Sequence, residues 1–185
     1  MASLMLHLLI GEEYCNKNNI KNRQKFLEGN FAPDLAEDKL KSHYSVVSNK
    51  ETFTIAAKNK VNIKELANQN YNLKDEFNKG EFFHLICDYY FYNNFLLNLP
   101  NYQQYYNTEY KIVNQLIYKE YDHMGYWIKS KYPNLNYNLL PFVGQTVSNG
   151  EMKIFTPKSL QNFVEFCSNL NLEELYNKLT STKTI

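Results

Sequence analysis

No sign of charge dominates this chain: twenty Lys and Arg stand against nineteen Asp and Glu, spread along 185 residues. Without a basic stripe there is no phosphate-tracking surface, so nucleic acid is not favoured as a partner. Cysteine is scarce. Cys15, Cys87 and Cys167 are odd in number, far apart and without a CxxC pair, which argues against a zinc ribbon or a dithiol redox motif and for reduced core thiols. No segment approaches the roughly 20 apolar residues that a membrane-spanning helix requires. The start, Met1 to Ile10, is apolar but lacks a basic n-region and an A-x-A-like cleavage pattern, and it runs into Glu12 and Glu13. It does not read as an export signal, and the expected location is the cytoplasm. No internal repeat, long linker or low-complexity block divides the sequence, so residues 1–185 are expected to form one domain, long enough to bury a core unaided.

Aromatic residues are what the chain has in plenty. Sixteen Tyr and twelve Phe, 16% aromatic with the single Trp, are the composition of a folded chain rather than a disordered one. Leu4, Leu8 and Cys15, with Met5 and Leu9, recur at helical spacing, so Ser3 to about Asn16 reads as an amphipathic helix with His7 on or beside its apolar face. A second helix through Arg23 and Phe26 is expected to stop at Gly29, a natural left-handed cap, leaving Gly29 to Asp34 as a loop. The segment from Asn62 to Asn68 reads as a short helix capped by Asn62. After Gly80 comes the most apolar run, Phe82 to Phe91, continuing to Leu99 and stopped by Pro100; a helix apolar all round belongs in the middle of a domain. A long helix is expected from about Thr108 to Lys131. Thr156-Pro157 supplies a cap and a first-turn proline for a C-terminal helix through Phe163 and Phe166. The fold class is therefore all-α, a mostly helical bundle, with small β-hairpins predicted near 44–60 and 143–156 from β-branched runs and the Ser148-Asn149-Gly150 turn.

The strongest chemical signal lies in the central helix, where His84 and Asp88 stand at i and i+4 on one face of an apolar segment. A buried carboxylate costs several kcal/mol even after relaxation, so it persists only when paired, hydrogen-bonded or bound to a metal. A satisfied core network is the plain explanation of that pair, and a divalent cation reached by both side chains is the other. His7 has the same desolvation problem in the first helix, and Gly11, one turn on, leaves its face open to a bulky neighbour or an ion. His43 follows a helix terminus near Asp34. Together His7, Asp34, His43, His84 and Asp88 supply a nitrogen and oxygen ligand set suited to zinc or another borderline divalent metal.

The order of these residues resembles the zinc-dependent phospholipase C family and, more distantly, the helical S1/P1-type nucleases. The resemblance is carried by Leu6-His7-Leu8, Gly29-Asn30-Phe31-Ala32-Pro33-Asp34, Lys41-Ser42-His43-Tyr44 and Gly80-Glu81-Phe82-Phe83-His84-Leu85-Ile86-Cys87-Asp88-Tyr89, and it covers roughly the first half of the chain. It implies His7, His43, His84 and Asp88 as ligands of one to three zinc ions, with Asp88 bridging. Asp34 is implied as a ligand or as the catalytic general base. The implied reaction is hydrolysis of a small phosphoester or a phospholipid headgroup by a metal-activated water. Two departures stand out: Asn94 occupies the position of a further histidine, and Tyr118 and Asp122 stand where a His and Glu pair is expected. Asp122 is kept as a candidate ligand. An adjacent His-Asp pair of the HD phosphohydrolase type is absent, since Asp122-His123 runs in reverse. The competing readings are a metal-binding or regulatory protein that keeps this helical fold without turnover, and a helical interaction domain whose histidines only pack.

Overall fold

The computed structural model describes residues 3–45, 62–105, 108–140 and 147–181, and among them every regular element is helical. Helix α1 (Leu4–Lys17) begins on Ser3, whose hydroxyl accepts from the Met5 N–H. It is less amphipathic than its spacing suggests: every residue from Leu4 to Glu12 is buried, because α2 (Arg23–Leu35), α7 (Tyr110–Lys131) and α8 (Pro157–Ser168) all pack against it. Glu12 tolerates burial through an ion pair with Arg23.

The expected stop at Gly29 does not occur. Helix α2 runs on through Gly29 and Pro33 to Leu35. The glycine serves a different purpose, because α2 crosses α5 (Glu76–Tyr90) so closely that a Cβ at Gly29 would strike the Phe77 carbonyl and one at Gly80 would strike the Phe26 carbonyl. Helix α5 accordingly starts before Gly80, on the Asp75 cap, and carries the glycine inside it. Two short helices are capped by side chains: α3 (Lys39–Ser42) by Asp38, and α4 (Ile63–Asn68) by Asn62, the latter as predicted.

The apolar run continues past α5 as expected but changes winding, to a π-helical turn over Phe91–Phe95 and a 3₁₀ turn over Leu96–Asn98. Pro100 then opens the short helix α6 (Pro100–Gln103) rather than ending the element outright. The N-cap of α8, Thr156, is reciprocated by Ser159. Beyond it follows a separate helix, α9 (Leu172–Ser181).

Of the two predicted hairpins, the first lies almost wholly outside the described residues. The second is not formed where it is described, because residues 147–156 carry no strand. Their backbone donors go elsewhere. The Lys153, Ile154 and Phe155 N–H groups all point at the carboxylate of Glu120 on α7, at 2.7, 2.9 and 3.4 Å. A buried side chain thus takes the place of a neighbouring strand. Glu120→Gln sets an amide N–H₂ against those donors and should lower stability by about 2 kcal/mol, read as an earlier urea midpoint. An unchanged midpoint would show that the carboxylate is dispensable there. Cys87 and Cys167 are buried free thiols, and Cys15 is half-buried and free. No helix among the described residues is long and apolar enough to cross a membrane.

Candidate metal centre

Three helices and one helix terminus deliver the ionisable residues. His7 comes from the middle of α1, Asp34 from the last turn of α2, His43 from the residue that ends α3, and His84 and Asp88 from successive turns of α5. All five are buried, His84 completely and Asp34 most open at 6% exposure. Tyr44, directly after His43, adopts a left-handed backbone with φ of 48°, which is uncommon for a bulky residue.

The hydrogen bonds fix the histidine tautomers. The His84 Nδ1 lies 2.7 Å from the Asn30 carbonyl oxygen and the His43 Nδ1 lies 2.8 Å from the Lys39 carbonyl oxygen. A carbonyl only accepts, so both Nδ1 atoms carry the proton and donate, and in the neutral rings both Nε2 atoms present a lone pair. Yet these two Nε2 atoms face each other at 3.1 Å. Around them stand only acceptors: the Asp34 Oδ1 and the Asp88 Oδ2, each 3.3 Å from the His43 Nε2. Such an arrangement calls for a positive centre in its middle.

In the metal-free chain a proton on His43 answers that demand. Burial works against charging His43, but its hydrogen bonds to Asp34 and Asp88 outweigh it and push its pKa up to about 9. His84 goes the other way, down to about 3, driven by complete burial and then by the neighbouring His7. Asp88 stays ionised well below the usual carboxylate range, because bonds from His43 and His7 outweigh burial. Asp34 is likewise lowered against its burial, chiefly by His84 and His43.

A divalent cation fits the same place. Four-coordinate bonds of about 2.0–2.1 Å put ligand atoms roughly 3.3 Å apart. The His43 Nε2, His84 Nε2 and Asp88 Oδ2 are separated by 3.1, 3.3 and 3.6 Å. These three form one group whose ligand atoms all lie within 4.8 Å of one another, and His7, Asp34 and His84 form a second. Asp34 Oδ1 is a buried acceptor that a protonated His43 answers from 3.3 Å; when His43 is neutral, a cation or its water would satisfy it instead. Among the described residues there are therefore two overlapping His/Asp groups that could hold a divalent metal ion. Asp122 belongs to neither group. Its neighbour His123 donates from Nδ1 to the Glu151 carbonyl at 3.0 Å on the outer side of α7.

One residue with a large part in this site was not singled out from sequence. Asn30 is fully buried; its amide donates to the His7 carbonyl at 2.8 Å while its own carbonyl accepts from His84. Gly11 makes the room, since a Cβ there would meet the Asn30 amide at 2.8 Å. The open face beside His7 thus holds a bulky neighbour. Phe26, Asn30 and Asp34 follow at i, i+4 and i+8, a signal visible only once residues 29–34 are read as helix. Comparison with family models, with curated proteins and with solved structures finds no match for this chain.

Proposed function

We propose that this protein is a zinc-dependent phosphoester hydrolase with chemistry of the phospholipase C type. The observation that carries the reading is the convergence of the His43 Nε2, His84 Nε2 and Asp88 Oδ2 beside the buried Asp34 carboxylate. Two histidines and one carboxylate are a familiar donor set for catalytic zinc, which keeps one position open. When bound, the ion supplies Lewis acidity that lowers the pKa of a water and offsets charge on phosphate oxygens.

The remaining work falls to the protein. Asp34, ionised and 3.3 Å from the His43 Nε2, would serve as the proton acceptor beside an ion held by His43, His84 and Asp88. His43 and His84 are held against rotation by the Lys39 and Asn30 carbonyls, so their lone pairs point inward without reorganisation. Asp34 and His43 retain the most exposure of the five, which makes their edge the side from which a phosphoester would approach. Small soluble phosphoesters and phospholipid headgroups are the proposed substrate classes, and the cytoplasm is the proposed location.

Asp34→Asn should keep the metal and cut turnover of a generic phosphodiester or phosphomonoester by about 10²–10⁴-fold. Full activity in that variant would remove Asp34 from the mechanism. A second reading, a buried ion that staples the helices without turnover, is favoured by the 0–6% exposure of all five side chains. Stoichiometric metal with no hydrolysis across a broad panel of phosphoesters would decide for it.

A further inference from the structure

We infer that the cluster holds one divalent ion and no more, and that His7 is a positioning residue for Asp88 rather than a ligand. This rests on the metal-binding part of the functional reading above, not on turnover.

The first argument is ring geometry. The His7 and His84 rings are stacked, with centroids 3.7 Å apart and planes 16° from parallel. An imidazole nitrogen binds a metal along its in-plane lone pair. An ion in the plane of His84 therefore lies out of the plane of His7 by most of the stacking distance. One ion cannot satisfy both rings, although their nitrogens are close.

The second argument is a shared atom. Both groups capable of binding a cation need His84. Its Nδ1 is committed to the Asn30 carbonyl, so only the Nε2 remains, and one lone pair serves one ion. The second group, with its two rings stacked and that lone pair shared, therefore offers no further place for an ion. His43, His84 and Asp88 form the better set, because their rings meet at 66° rather than stacking, and both Nε2 atoms can aim at one point.

The third argument is charge. Asp34 and Asp88 together carry two negative charges, which one dication balances when the histidines are neutral. A second dication would leave two uncompensated charges among groups with no more than 6% exposure, a cost of several kcal/mol per ion even after relaxation.

His7 then has a defined task. Its Nε2 lies 3.2 Å from the Asp88 Oδ1, the oxygen that does not face His43 and His84. Asp88 only accepts, so His7 donates, and the bond turns the Asp88 Oδ2 toward the cation. Outer partners of this kind change metal affinity about 10–100-fold without touching the ion.

The test is zinc and cobalt titration of the full chain, read by elemental analysis, competition with a chromogenic chelator and the visible spectrum of the Co²⁺ form. Wild type should bind one ion per chain. His7→Leu should still bind one, about 10–100-fold more weakly, with the four-coordinate Co²⁺ bands at their wild-type positions. His7→Gln keeps an N–H for Asp88 and should recover most of the affinity. Two or three ions on wild type would overturn the inference and leave the hydrolase reading standing. Loss of the ion in His7→Leu and His7→Gln as complete as in His84→Ala would make His7 a ligand and overturn it too. No ion on wild type would remove this inference and the hydrolase reading together.

Discussion

Asp88→Asn should lower the affinity for Zn²⁺ by at least about a hundredfold. Structural zinc sites bind with roughly 10–16 kcal/mol, so one ligand of four carries about 3 kcal/mol, and a hundredfold is close to that amount. Asparagine is nearly isosteric and keeps one oxygen toward its neighbours. What it loses is the charge that the cation, or the proton on His43, is there to balance. The loss should be read by chelator competition beside a far-ultraviolet circular dichroism spectrum that matches wild type. Zinc bound to Asp88→Asn at wild-type affinity would show that Asp88 is not a ligand.

The second large effect concerns stability. Gly80→Ala would thrust a Cβ against the Phe26 carbonyl and to 2.8 Å from the Asn30 nitrogen, at a crossing where neither backbone can turn aside. Overpacking of a core costs about 1–3 kcal/mol when side chains can adjust. A backbone clash should reach at least the top of that range even after alanine's helix advantage of about 1 kcal/mol. In a chain of this size about 3 kcal/mol corresponds to roughly 6–12 °C in Tm. Gly125→Ala is the matched control in α7. Its Cβ would meet the tip of Val147 at 2.8 Å, a side chain free to move, and the melting point should fall much less. Equal losses in the two variants would show that the close crossing of α2 and α5 is not what these glycines protect. Because Asn30 stands at that crossing, metal affinity in Gly80→Ala should fall along with stability.

The helices were legible wherever a cap and a periodic run agreed, as at Ser3, Asn62 and Thr156. Legibility failed where one residue type admits two uses. Gly29 reads as a helix stop but is spent on close packing, and that reading hid the alignment of Asn30 with Asp34. The Ser148-Asn149-Gly150 turn reads as the bend of a hairpin, but a strand needs a partner. The donors after it find the carboxylate of Glu120, a long-range contact with no local trace. Within the site, His84 and Asp88 announced themselves by spacing and burial. The stacking of His7 on His84, which sets their unequal roles, depends on how α1 and α5 lie together and is written in neither helix alone.

The tautomers of His43 and His84 are set by two main-chain oxygens, those of Lys39 and Asn30. Every residue that can occupy the first turn of α3 presents the same oxygen, so the support of His43 is indifferent to the side chain at position 39. Position 30 is not indifferent, because its amide also ties down α1. Two supports of equal chemical weight therefore leave unequal marks on heredity: one would persist through drift at its own codon, and the other would appear as a fixed asparagine.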